Sequence, residues 1–192
     1  MQPLLLASSS RYRRELLERL GLPFQCCAPD IDETPAPEEP AEHLVRRLAR
    51  EKAMALADTH PNHLIIGSDQ VAVLGNRILG KPGNHAEAFR QLSAASGASV
   101  RFLTGIALLD AATGTLQLDC VPFTVHFKQL SDAQIDRYLR ADTPYDCAGS
   151  FKAEGLGVSL FRSTKGPDAT SLIGLPLIRL VDMLNAAGFE IP

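Results

Sequence analysis

No apolar run in the sequence is long enough to cross a membrane: the longest, such as Leu4 to Ala7, fall far short of the roughly 18 to 20 residues a span requires. Cysteine is scarce. The four present, Cys26, Cys27, Cys120 and Cys147, form no CxxC pair, and no apolar signal region lies near Met1. A secreted disulfide framework is thereby excluded, and a reducing, cytoplasmic compartment is expected. An excess of one charge is lacking too. Nineteen basic against 22 acidic residues leave a net charge of -3. That balance excludes a general nucleic-acid binder and a polybasic membrane module, so any anionic partner must be held locally. The sequence has no GxSxG nucleophile elbow and no GxGxxG turn, and the histidines at 43, 60, 63, 85 and 126 form no metal motif. Gly75, Gly80 and Lys81 fit GxxxxGK, but Pro82 stands where a phosphate loop needs a hydroxyl for magnesium.

What is present is an alternation of strand and helix patterns over 192 residues, without repeats, which reads as a single layered α/β domain. An apolar strand, Pro3 to Ala7, precedes three serines and a helix with Tyr12, Leu16, Leu17 and Leu20 on one face, ended by Gly21. A strand at Phe24 to Cys27 leads into Pro29 to Pro40, where four prolines and five carboxylates in twelve residues dictate an exposed loop. Leu44, Val45, Leu48, Ala49, Ala53 and Leu56 mark a long amphipathic helix. A buried strand then runs from His63 to Val73, turns at Gly75-Asn76 and returns through Arg77 to Leu79. Asn84 with Glu87, and Ser131 with Gln134, are capping-box starts of two further helices. Between them lies a hairpin, Val100 to Leu109 and Leu116 to Phe127. Its apolar phase changes at Val121-Pro122, where a bulge is expected. A strand near Val158 to Phe161 and a helix begun by Pro176 complete the pattern.

Several residues carry chemical interest. Ser8-Ser9-Ser10 between a strand and a helix bearing Arg11, Arg13 and Arg14 reads as a phosphate grip, with backbone N–H groups, hydroxyls and forked cations; the alternative is an ordinary serine cap below a solvated arginine face. Stepping by four from Leu44 through Leu48 reaches Lys52 and then Leu56, so an ammonium falls within an apolar stripe. It is either a snorkelling stem or a charge directed into a polar cleft. Asp69 interrupts an apolar strand, where a carboxylate needs a metal or lysine partner and suits a general base. Lys81 is carried back by the hairpin beside the Asp69 strand. Asp30, Asp32 and Glu33 in the acidic loop could supply oxygen ligands to a hard divalent cation.

Taken together, these segments resemble the Maf-like nucleoside triphosphate pyrophosphatases, whose house-cleaning members hydrolyse modified nucleotides. The marks are LLLASSSRYRREL, DETP, LAREKA around Lys52, GSDQV around Asp69, GKP around Lys81, CAGSFKAEG from Cys147 to Gly155, and GLPL from Gly174. The resemblance implies a mixed twisted sheet with flanking helices, similar to inosine triphosphatases, with two lobes around a central cleft. It also implies a divalent metal, magnesium or manganese, and cleavage between the α and β phosphates. It assigns Asp69 as proton acceptor for the attacking water, Ser8, Arg13, Arg14, Lys52 and Lys81 as triphosphate contacts, and Glu33 with Asp69 as the acids near the metal. Tyr12, Gln70 and Glu154 occupy the positions that separate the branch preferring 7-methyl-GTP from the branch acting on dTTP and UTP. The alkylated base is cationic, which suits an aromatic face and a nearby carboxylate. That branch commonly has Pro-Trp where Arg11-Tyr12 stand here. The expected partner is a small nucleotide, with no nucleic acid and no membrane. The alternatives are the same reaction on dTTP or UTP, and a nucleotide-sensing regulator of septum formation that does not turn over. Oligomeric state is open, a homodimer included.

Overall fold

A computed structural model of the protein describes residues 2–191. In chain order the elements are β1 (Leu4–Ala7), α1 (Arg11–Glu18), β2 (Phe24–Cys27), α2 (Ala41–Met54), β3 (Leu64–Leu74), β4 (Arg77–Leu79), α3 (His85–Ala95), β5 (Ser99–Asp110), β6 (Thr115–Phe127), α4 (Asp132–Asp142), β7 (Phe161–Lys165), α5 (Ala169–Ile173) and α6 (Leu177–Ala186). The strands form one seven-stranded mixed sheet in the order β2-β1-β3-β5-β6-β7, with β4 paired to β3. β1 runs parallel to β2 and β3, whereas β4 and β7 are antiparallel to their neighbours. The fold is α/β, as expected. The chain divides into two compact units, one of residues 2–69, Thr104–Val121 and 168–191, the other of Gln70–Leu103 and Pro122–Pro167.

The first unit is a three-layer sandwich dictated by the period-2 alternation of its strands. Leu4, Leu6, Leu64, Ile66, Ile106 and Leu108 pack with Leu16, Leu17, Leu180 and Leu184 of α1 and α6. The alternate residues Leu5, Ala7, Ile65, Ala107 and Leu109 face the other way, onto Ala49, Ala53 and Leu56 at α2 and beyond its end. That second layer is built of small side chains, and two glycines bring α2 closer still. A Cβ on Gly67 would lie 2.0 Å from the Ala49 carbonyl oxygen, and one on Gly105 2.1 Å from that of Val45. Only glycine on β3 and β5 lets the backbone of α2 seat this near the sheet.

The second unit has a core of edge-to-face aromatics. Phe151 packs against Phe102, Phe127 and Phe161 with ring centroids 5.3, 5.6 and 4.9 Å apart. α4 opens with the expected capping box of Ser131 and Gln134. α3 has half of one: the Asn84 side chain accepts from the Glu87 N–H.

One expectation is corrected, and one element is new. Val158 to Leu160 is not strand but the end of a short 3-10 helix, Leu156–Leu160, and the strand begins at Phe161 and runs through Arg162, Ser163 and Thr164 to Lys165. As an exposed edge it has no apolar alternation to read, and charge on such an edge discourages pairing with other chains. α5 has no counterpart in the sequence pattern; five residues are too few for a helical period, and Asp168 caps it by accepting from the Thr170 N–H at 2.8 Å. In β6, Leu116 to Cys120 are evenly half-buried and alternation of burial begins only at Val121, continuing through Phe123, Val125 and Phe127; the irregularity in its pairing with β7 lies between His126 and Phe127. The strand itself is unbroken through Pro122, where the chain passes from the first unit to the second.

Candidate active site

Lys52 and Asp69, the two charges that interrupt apolar patterns, meet. Lys52 sits on the buried face of α2, 6% exposed, and its Nζ donates to Asp69 Oδ1 at 2.7 Å. Asp69, on β3, is 7% exposed. Charges this far from water persist because each compensates the other. The same ammonium lies 2.8 Å from Glu33 Oε1, which reaches in from the acidic loop and is itself mostly exposed. One cation is thus shared by two carboxylates from two segments. Asp32 turns away, its Oδ1 accepting from the Thr34 N–H at 2.9 Å; hydrogen bonding to the Thr34 side chain first, and then to its backbone, holds the Asp32 pKa below the usual range, and Asp30 is exposed.

The serine-arginine segment contributes selectively. Ser10 caps α1, accepting from the Arg13 N–H, while the buried Ser8 hydroxyl accepts from the Ser10 N–H at 3.1 Å. Arg13 Nε donates to the Gly174 carbonyl at 2.8 Å, and its Nη1 lies 3.5 Å from Ser8 Oγ. Burial pushes the Arg13 pKa down, and the charges of Asp69 and Glu33 oppose the shift. An arginine so balanced remains a cation. Arg14 is exposed and paired with Glu18 at 3.2 Å. Tyr12 is half-buried, with the Arg11 guanidinium 4.7 Å from its ring centroid and Arg11 Nη2 donating to its hydroxyl at 2.8 Å.

The remaining candidates belong to the second unit. Gln70 follows Asp69 in β3 and is half-buried. Lys81 is exposed beyond β4, where it lines a cavity of about 510 Å³ with Arg77, Glu87 and Arg90. Glu154 is exposed in a turn held by Phe151 and by the Lys152 N–H donating to Tyr138 Oη at 2.9 Å. Burial raises the Tyr138 hydroxyl's pKa, so it stays protonated as part of that support.

The profile of a family described as "Maf-like protein" matches residues 3–187. The chain belongs to that family. Among its relatives, a Pseudomonas fluorescens protein named 7-methyl-GTP pyrophosphatase is 71% identical over 192 residues, the whole of both chains. The protein of the same name from Pseudomonas aeruginosa is 65% identical, again over the whole of both. One from Alcanivorax borkumensis is 58% identical over 98% of this chain and 96% of its own.

In this Maf-like chain the donor set suits a hard divalent cation. Among the described residues no group of three or more His, Cys, Asp or Glu side chains could hold a metal. Asp69 and Glu33 nevertheless bring carboxylate oxygens to the same ammonium, that of Lys52. One or two carboxylates completed by substrate phosphates are the oxygen ligands that magnesium takes. Three groups escaped the sequence reading. The Gly174 carbonyl, within GLPL, receives both Arg13 Nε and the buried Ser68 hydroxyl, the latter 3.0 Å away and 2.9 Å from the Gly105 carbonyl. A backbone oxygen leaves no residue-type signal. Ser68 had one, as a hydroxyl inside an apolar strand beside Asp69. Arg47, described below, lies on the polar face of α2, where an arginine is ordinary.

Proposed function

We propose that this chain is a nucleoside triphosphate pyrophosphatase that hydrolyses 7-methyl-GTP to 7-methyl-GMP and pyrophosphate, clearing a modified nucleotide in the cytoplasm. Full-length relatives carrying that name support the substrate, and the shared Lys52 ammonium between Asp69 and Glu33 carries the chemistry. Arg13 and Lys52 place cationic charge where a triphosphate needs it, with Ser8 adding a hydroxyl. Arg14 and Lys81 keep the phosphate contacts that family likeness gives them, and Tyr12, Gln70 and Glu154 the base contacts. Asp69, paired with Lys52, takes a proton from water as the water oxygen bonds to phosphorus. The α–β anhydride bond breaks with its electron pair leaving on pyrophosphate. Asp69 and Glu33 would hold magnesium or manganese, which when bound neutralises charge developing on the phosphate oxygens. The whole chain acts as one domain.

Product analysis tests this reading. With magnesium or manganese, purified protein should release pyrophosphate from 7-methyl-GTP faster than from GTP, dTTP or UTP. Asp69→Ala should lose most turnover while keeping its circular dichroism spectrum; undiminished turnover would remove Asp69 from the mechanism. Glu154→Gln should narrow the preference for the methylated base, and an unchanged substrate ranking would remove Glu154 from base recognition.

A further inference from the structure

The loop that delivers Glu33 has little core of its own: from Asp32 to Glu38 every residue is exposed. Something else must hold it. Arg47 of α2 donates through Nε to Glu39 Oε1 at 2.8 Å, through Nη2 to Glu39 Oε2 at 2.8 Å and to the Thr34 carbonyl at 3.1 Å, and through Nη1 to Glu51 at 3.0 Å. Glu39 in turn accepts from the Ala36 N–H at 3.0 Å. One planar guanidinium therefore ties both ends of the 34–39 segment to α2, and its first contact is on the residue directly after Glu33. Five residues further along the same helix, about 7.5 Å by rise, stands Lys52, the group Glu33 must reach. The fork is specific to arginine, since a lysine ammonium has no planar pair of donors to grip a carboxylate and a carbonyl together.

We infer that Arg47 is a positioning residue that, through Glu39 and Thr34, sets the acidic loop so that Glu33 meets Lys52. It acts without touching substrate. The inference rests on the reading of Glu33 given above and adds the device that places it. A loop released from α2 lets Glu33 wander by an ångström or more, a displacement that costs up to about 100-fold in turnover.

The test uses Arg47→Lys and Glu39→Gln, which remove the fork from either side, each alone and combined with Glu33→Gln. Initial rates on 7-methyl-GTP with magnesium give kcat/KM, and hydrogen exchange reads the Thr34 and Ala36 amides. Each single variant should lower kcat/KM by roughly tenfold and speed exchange at both amides, and neither should lower kcat/KM further once Glu33 is Gln. A full second loss in the Glu33→Gln background would show that Arg47 acts elsewhere and overturn the inference. Unchanged exchange in Arg47→Lys would refute the anchoring itself. Glu33→Gln with wild-type kcat/KM would instead refute the reading of Glu33, an outcome the exchange data keep distinct.

Discussion

Replacing Gly67 by alanine adds one methyl group, and the structure says where it goes. The new Cβ would stand 2.0 Å from the Ala49 carbonyl oxygen and 3.0 Å from the Ala53 nitrogen, both backbone atoms of α2 with no rotamer to move aside. Opening the first distance to the 3.4 Å at which ordinary contact begins requires α2 and β3 to part by about 1.4 Å. Lys52 follows Ala49 by one turn and Asp69 follows Gly67 by two residues, so the separation passes into their 2.7 Å contact. That contact would lengthen to roughly 4 Å, beyond hydrogen-bond reach. Overpacking of this kind costs about 1–3 kcal/mol. For a chain of this size the melting temperature should fall by roughly 2–12 °C. Turnover should suffer more, with kcat/KM down about 100-fold. Differential scanning fluorimetry and pyrophosphate release measure the two effects. Gly105→Ala is the control: it strikes the same helix at Val45, about two turns before Lys52, and should destabilise comparably with a smaller loss of turnover. Unchanged melting in Gly67→Ala would refute the close seating of α2. Lower melting with intact kcat/KM would show that turnover does not depend on the Lys52–Asp69 spacing.

Lys52→Met strands the buried Asp69 carboxylate and should cost about 3–5 kcal/mol in urea denaturation. Lys52→Met with Asp69→Asn should regain most of it, and strictly additive losses would contradict the pairing. Glu39 is held at a pKa of about 2, chiefly by Arg47, below its ordinary 4.5. Its contribution is therefore complete above pH 4.5 and disappears as pH falls through about 2. Exchange at the Ala36 amide, corrected for intrinsic rate, should stay flat from neutral pH to 5, and a loss already at pH 6 would refute the anchor. Thr143 closes α4 with φ 43, a left-handed conformation unfavourable to a β-branched residue. Thr143→Gly should raise stability by about 0.5–1 kcal/mol, read as a higher urea midpoint.

The legible parts of this chain are those where residue type contradicts its surroundings or matches a period. β2 and β4 have the predicted bounds because Gly21 and Gly75-Asn76 punctuate them. Lys52 and Asp69 are legible because each breaks an apolar repeat, and an unpaired charge there would be too costly to keep. Their meeting was not readable, since it depends on how close α2 sits to the sheet, which two glycines decide. Elements with little apolar content escape: β7 is an edge strand made of polar residues, and α5 is shorter than two turns. The Gly174 carbonyl and Arg47 escape for a different reason, because nothing about their type is unusual where they occur.

The Lys52–Asp69 pair also separates folding from metal supply. In many metal sites the buried acids repel one another until a cation arrives, so the apoprotein loosens. Here the counter-ion for the resting state is covalently part of the chain, and Lys52 offsets Asp69 from the moment α2 docks. Under the proposed function, newly made protein therefore completes its core before any cation arrives. A chelator should silence it without unfolding it, and restoring the cation should return activity without a refolding delay.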